Sequence, residues 1–141
     1  MSLGSNSTFV IVSARPGGRL ALRWTRPSFV EVVLDDHGLR ATSEIHAIVS
    51  GPANLPTSFF DDMAGSWRGW RGLKDWTSYE GDLQLSATSD GKGHMFLRVK
   101  LAAGASDDLW RAETQLLLEA GQLEAYAKEF RAFASAGQRA A

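Results

Sequence analysis

Glu44 and His46 are the first residues whose types and spacing suit chemistry, because two positions apart on an alternating stretch they share one strand face. A carboxylate beside an imidazole is half of an acid/base pair or half of a metal site, and either role needs a third partner. The chain has three histidines, no cysteine and no HxH or HxxxH spacing, so no metal site and no thiolate nucleophile are expected. His46 is therefore read as a solvated or hydrogen-bonded side chain. Ser58, Ser66 and Ser78 lack the context of a nucleophile elbow. Asp90-Gly91-Lys92-Gly93-His94 joins two strand-like stretches with no helix after it. That makes it a hairpin turn rather than a phosphate-cradling loop. No catalytic residue and no cofactor are expected from these patterns.

The densest chemistry lies in the middle of the chain. Ser66 to Glu80 holds three of the five tryptophans and one of the two tyrosines within fifteen residues, interleaved with glycines and both signs of charge. Two readings stand side by side. In one, Trp67, Trp70 and Trp76 are large core-fillers with polar handles. In the other, Arg68, Trp70 and Trp76 form an exposed contact patch, since Trp and Arg dominate binding hot spots. Glu80 follows directly; buried among the indoles it would need Arg68, Arg71 or Lys74 as a partner, either to order a loop or to read a ligand.

The elements that must position these residues follow from the periodicity. Phe9 to Ser13 and Leu20 to Trp24 flank the turn Arg15-Pro16-Gly17-Gly18, and Val30 to Leu34 leads through Asp35-Asp36-His37-Gly38 into a long alternating strand, Leu39 to Val49. Gly51-Pro52-Ala53-Asn54 breaks it. Asn54 or Thr57 is placed to cap a helix carrying Leu55, Phe59, Phe60 and Met63, with Pro56 in its first turn and Asp61 and Asp62 early in it. Past the tryptophans, Tyr79 to Thr88, His94 to Leu101 and Trp110 to Leu118 read as strands, with a loop over 103–108. Gly121 then precedes a helix whose stripe is Leu123, Tyr126, Ala127, Phe130, Phe133 and Ala134, opposite Glu124, Lys128 and Arg131.

Seven strand-like segments and two helices predict a two-layer α+β domain: a mainly antiparallel sheet of about six to seven strands, with both helices packed on one face. The other face would be polar and would present Glu44, His46, His94 and Arg98. A single domain over 9–134 is expected, between a flexible leader, 1–8, and a flexible tail, 135–141, that has lost its large apolar residues.

With 141 residues, a net charge of −1 and a pI near 6.3, the chain has no basic field for nucleic acid. Its longest wholly apolar run, Phe9-Val10-Ile11-Val12, is far short of a bilayer span. Neither nucleic acid nor membrane is an expected partner. The absence of cysteine and of a signal-peptide pattern makes the cytoplasm the natural compartment.

Trp67-Arg68-Gly69-Trp70, Trp76, Ser78, Glu80, the Asp90 to His94 hairpin and Gly121-Gln122-Leu123 together resemble a small bacterial family of unknown function, across roughly Phe29 to Phe133. A strand-rich half followed by a Leu/Phe helix is also similar in pattern to immunity proteins of the WapI type. That likeness implies inhibition of a cognate toxin by binding, and it carries over no catalytic residue.

Three functions follow as expectations. The first is a non-enzymatic binding domain, immunity-like in form, whose polar sheet face or Trp/Arg segment contacts a protein partner. The second is a small-molecule binder or small enzyme with a pocket rimmed by Trp70, Trp76 and Glu80. The third is a structural domain that self-associates through an open sheet edge.

Overall fold

The computed structural model describes residues 7–47, 54–104 and 109–140. Expectations that fall on 1–6, on the strand end and break at 48–53, and on the loop at 105–108 lie outside the described residues. Strands β1 (Thr8–Val12), β2 (Arg19–Arg26), β3 (Phe29–Asp36) and β4 (Leu39–His46) lead into helix α1 (Thr57–Gly65). Strands β5 (Lys74–Thr77), β6 (Leu83–Ser89), β7 (His94–Ala103) and β8 (Trp110–Glu119) lead through a 3-10 turn, Ala120–Gln122, into α2 (Leu123–Ala140). The chain thus runs four strands and a helix, twice.

Each set of four strands forms its own antiparallel sheet, ordered β1-β2-β3-β4 and β5-β6-β7-β8. This corrects the expected single sheet of six to seven strands. The hairpin alternation is as foreseen, but alternation reports only which side chains turn inward. Whether successive hairpins join one sheet or two is decided where the helix between β4 and β5 interrupts the meander.

Both sheets turn their apolar faces to one shared core. Leu20, Leu22, Val30, Val32, Leu34 and Ile45 line it from the first sheet, and Leu83, Leu85, Leu97, Val99, Leu101 and Leu116 from the second. The helices close it: Phe9 of β1 packs edge-on against Phe130 of α2 and tilted against Phe60 of α1, with ring centroids 4.9 Å and 5.3 Å apart. The Arg131 guanidinium of α2 bonds the Asp61 carboxylate of α1. The α2 stripe falls where the period of 3.6 puts it, with Leu123, Ala127, Phe130, Phe133 and Ala134 buried and Tyr126 partly so.

Three local expectations change. Helix α1 starts without a side-chain cap: Pro56 holds the N-cap position, and neither Asn54 nor Thr57 caps it. Its early acids bond outward instead, Asp61 to Arg131 and Asp62 to Lys74. The strand expected over 79–88 begins at Leu83, because Ser78 to Asp82 forms a loop closed by the Ser78 hydroxyl, which donates to Asp82 Oδ1 at 3.1 Å and accepts from the Leu83 N–H at 3.0 Å. The segment 135–141, expected as a tail, is helical as far as Ala140. Small size is what seats it: Gly137 lies so close to Trp24 that a Cβ there would stand 1.7 Å from the indole, whose N–H donates to the Phe133 carbonyl at 2.9 Å. Among the described residues no helix is long and apolar enough to cross a membrane.

Candidate functional site

Between α1 and β6 the chain makes a connector, residues 66–73, and then the short strand β5. Four residues, Lys74-Asp75-Trp76-Thr77, pair with β6 in register, Trp76 opposite Leu85 and Thr77 opposite Gln84. Strand alternation therefore turns Lys74 and Trp76 toward the core side and Asp75 and Thr77 outward, matching their half-buried and exposed states. Two contacts fix the connector on the body. The Lys74 ammonium bonds Asp62 of α1 at 3.0 Å and stands 5.0 Å over the Trp70 ring. Gly69, at φ +123°, passes so close to the β6–β7 turn that a Cβ would lie 3.3 Å from the Gly91 Cα, and this close approach requires glycine.

The result is divided exposure of the indoles. Trp70 and Trp76 are half-buried against the core, while Trp67 is 51% exposed and Leu73 62% exposed. The Arg68 guanidinium lies 5.0 Å over the Trp67 ring. Among the described residues neither Arg68 nor Arg71 has a carboxylate partner within ion-pair distance. An open groove of about 570 Å³ runs between α1 and β5, with Phe59, Asp62, Trp70, Leu73 and Trp76 in its walls. The buried Trp70 indole N–H has no hydrogen-bond partner among the described residues.

The other expected site residues lie elsewhere. Glu80 is exposed at the β5–β6 loop and borders a separate cleft of about 310 Å³, with Lys100, Arg111 and Glu113 on the outer face of the second sheet. It is exposed rather than buried among the tryptophans, and it lines a different cleft from Trp70 and Trp76. The loop closed by Ser78 carries it away from them.

Glu44 and His46 share a strand face but turn to different partners. Glu44 accepts from the Arg26 guanidinium and the Thr25 hydroxyl, each at 3.0 Å. The Arg26 bond holds its carboxyl below the ordinary glutamate range, slight burial opposing and Thr25 assisting. His46 stacks on Phe29, centroids 4.5 Å apart, and the same ring carries the Arg26 guanidinium at 3.7 Å. Each polar group is thus engaged in holding the β2–β3–β4 edge.

His94 bonds Asp90 at 3.0 Å within the β6–β7 turn. Asp90 Oδ1 also accepts the N–H groups of Lys92 and His94, at 2.7 Å and 3.1 Å. These bonds, that from Lys92 foremost, lower its pKa. Arg98 pairs across the sheet with Glu113 at 3.2 Å. Of the eight site residues read from the sequence, Trp70 and Trp76 line the groove together, and Arg68 stands on the same connector over Trp67. Phe59, Leu73 and Arg71 complete the groove. Leu73 carried a signal that was passed over: a large apolar side chain beside Gly72 in a polar stretch is poorly placed for burial.

Among the described residues no group of three or more His, Cys, Asp or Glu side chains is placed to hold a metal ion. Comparison with curated proteins and with solved structures gave no match. A family model does match, over residues 23–137, from the middle of β2 to the turn of α2 that meets Trp24. The chain therefore belongs to DUF6228, a family of unknown function.

Proposed function

We propose that the protein is a non-enzymatic binding domain whose connector, Trp67 to Trp76, docks a protein partner. The observation that carries this is the combination on the connector: Trp67 and Leu73 stand in solvent on the same segment as two arginines without carboxylate partners among the described residues, and Lys74 and Gly69 fix that segment to the body. Rigid aromatic side chains lose little conformational freedom on contact, and Trp and Arg are the residue types whose truncation costs interfaces most. Glu44, His46, His94 and Arg98, outside the groove, are engaged in contacts that hold strands and turns, which leaves them poorly suited to acid/base work.

The test is retention of a single protein, at fixed stoichiometry, by the wild-type chain from a lysate of its own source. Trp67→Ala and Leu73→Glu, both on exposed side chains, are expected to abolish retention, and Lys128→Glu on the solvent face of α2 to leave it intact. Retention unaffected by the first two contradicts the proposal. In its immunity-like form the retained protein is a toxin, whose activity the chain suppresses in the same assay.

A second reading is favoured by the groove's volume, which falls in the range of small-molecule sites. It would make Trp70 and Trp76 a stacking surface for a planar metabolite. A thermal-shift screen checks it: a stabiliser whose effect is lost in Trp76→Ala supports it, and no stabiliser across a broad metabolite set removes it.

A further inference from the structure

The groove runs along a sheet edge, and the geometry of that edge says what shape of partner it takes. β5 is the outermost strand of the second sheet, with β6 on one side only. The Ser78 N–H donates to the Leu83 carbonyl at 2.8 Å, which sets the phase of the ladder. With Thr77 opposite Gln84 and Trp76 opposite Leu85, the hydrogen-bonding positions of an antiparallel pair fall on Trp76 and Lys74. The N–H and C=O groups of Asp75 and Thr77 therefore point away from β6. Among the described residues no backbone partner takes them. They repeat at the two-residue period of a strand, about 7 Å apart.

Beside this open edge lie the indoles of Trp70 and Trp76 and the ring of Phe59, which offer an apolar wall. Arg71 borders the same groove, and Arg68 stands three residues earlier on the connector. Of the other charges there, Lys74 and Asp62 neutralise each other, and the exposed Asp75 carboxylate of β5 is set against the two arginines, which leaves one positive charge in excess. A net positive charge, with Arg71 in the groove wall and Arg68 nearby on the connector, beside an unpaired strand selects an extended chain that carries carboxylates.

We propose that β5 receives an extended, acidic segment of the partner protein as a fifth strand of the second sheet, its carboxylates meeting Arg71 and Arg68 and its apolar side chains facing the Trp70–Trp76 groove. This rests on the reading of the connector as a protein-docking surface. Main-chain bonds to Asp75 and Thr77 supply the attachment, and the arginines and indoles supply the selection.

Random octapeptides displayed against the full-length chain test it, followed by synthetic copies of the enriched sequences as probes in fluorescence polarisation. Enriched peptides are expected to alternate Asp or Glu with apolar residues. Affinity should fall about tenfold or more in the Arg68→Glu, Arg71→Glu double variant. N-methylation of every second peptide amide should weaken binding in one phase and leave it unchanged in the other, a signature that needs no change to the protein. Thr77→Pro, which removes an outward donor but no bond to β6, should weaken it similarly.

Peptides that depend on Leu73 but ignore methylation phase overturn strand addition while leaving the docking reading in place. Peptides indifferent to Leu73→Glu overturn both, and failure to enrich any peptide overturns strand addition. Sedimentation of the chain alone completes the test: a monomer is expected, and a dimer dissociated by Thr77→Pro assigns the edge to a second copy and overturns the proposal.

Discussion

Trp24 and Trp70 are chemically alike, yet among the described residues one donates a hydrogen bond and the other finds no acceptor. Trp24→Phe removes the bond to the Phe133 carbonyl and opens space beside Gly137, so a loss of about 2 kcal/mol is expected in chemical denaturation. Trp70→Phe removes a buried N–H that has no partner among the described residues. The desolvation cost thereby relieved offsets the lost apolar area, and a change within about 1 kcal/mol is expected in the same measurement. Glu44 adds a pH prediction. Its pKa is depressed in the folded state, so its contribution is present above the unfolded value, about 4.3, and fades as pH falls through the folded one. In thermal melts Glu44→Gln should therefore lie below wild type at neutral pH and converge with it as pH drops below about 4. At this scale the residue types at the connector were legible, as core-filling indoles or as a Trp/Arg patch. Their exposure was not, since an indole beside glycine reads the same whether it packs inward or stands in solvent. Glu80 shows the same limit, its position decided by a loop that Ser78 closes five residues before Leu83.

Elements divide by length. α2 was readable because six apolar residues at helical spacing define a stripe that tertiary contacts only confirm. β5 was not, because four residues including an Asp carry too little pattern to stand out from the aromatic stretch around them. The seating of the last turns of α2 was equally hidden: the loss of large apolar residues over 135–141 reads as a tail, whereas Gly137 makes room for Trp24. Gly137→Ala separates the two views. Propensity alone predicts a gain of about 1 kcal/mol. A methyl that would overlap the indole predicts a net loss of roughly 1–3 kcal/mol from overpacking, and this should win, with the Trp24 emission shifting as its environment changes.

At the scale of the whole molecule the fold is two meanders, each followed by a helix, that share one core. Hairpins and facing residues could be read from alternation, but the division into two sheets is a long-range fact with no local signature. Because Phe9, Phe60 and Phe130 belong to three different elements on both sides of the connector, neither half keeps a closed core without the other. Unfolding followed by far-ultraviolet circular dichroism and by tryptophan emission should therefore give one coincident transition, and two separated transitions would show independent halves. A shared core of this kind, with Lys74 and Gly69 tying the connector to it, would limit the ordering cost of the proposed docking. The affinity of the retained partner for wild-type and Trp67→Ala chains, measured by titration calorimetry, bears most directly on that role. A loss of about 2 kcal/mol or more with an unchanged melting temperature is predicted, and equal affinities for the two chains would contradict it.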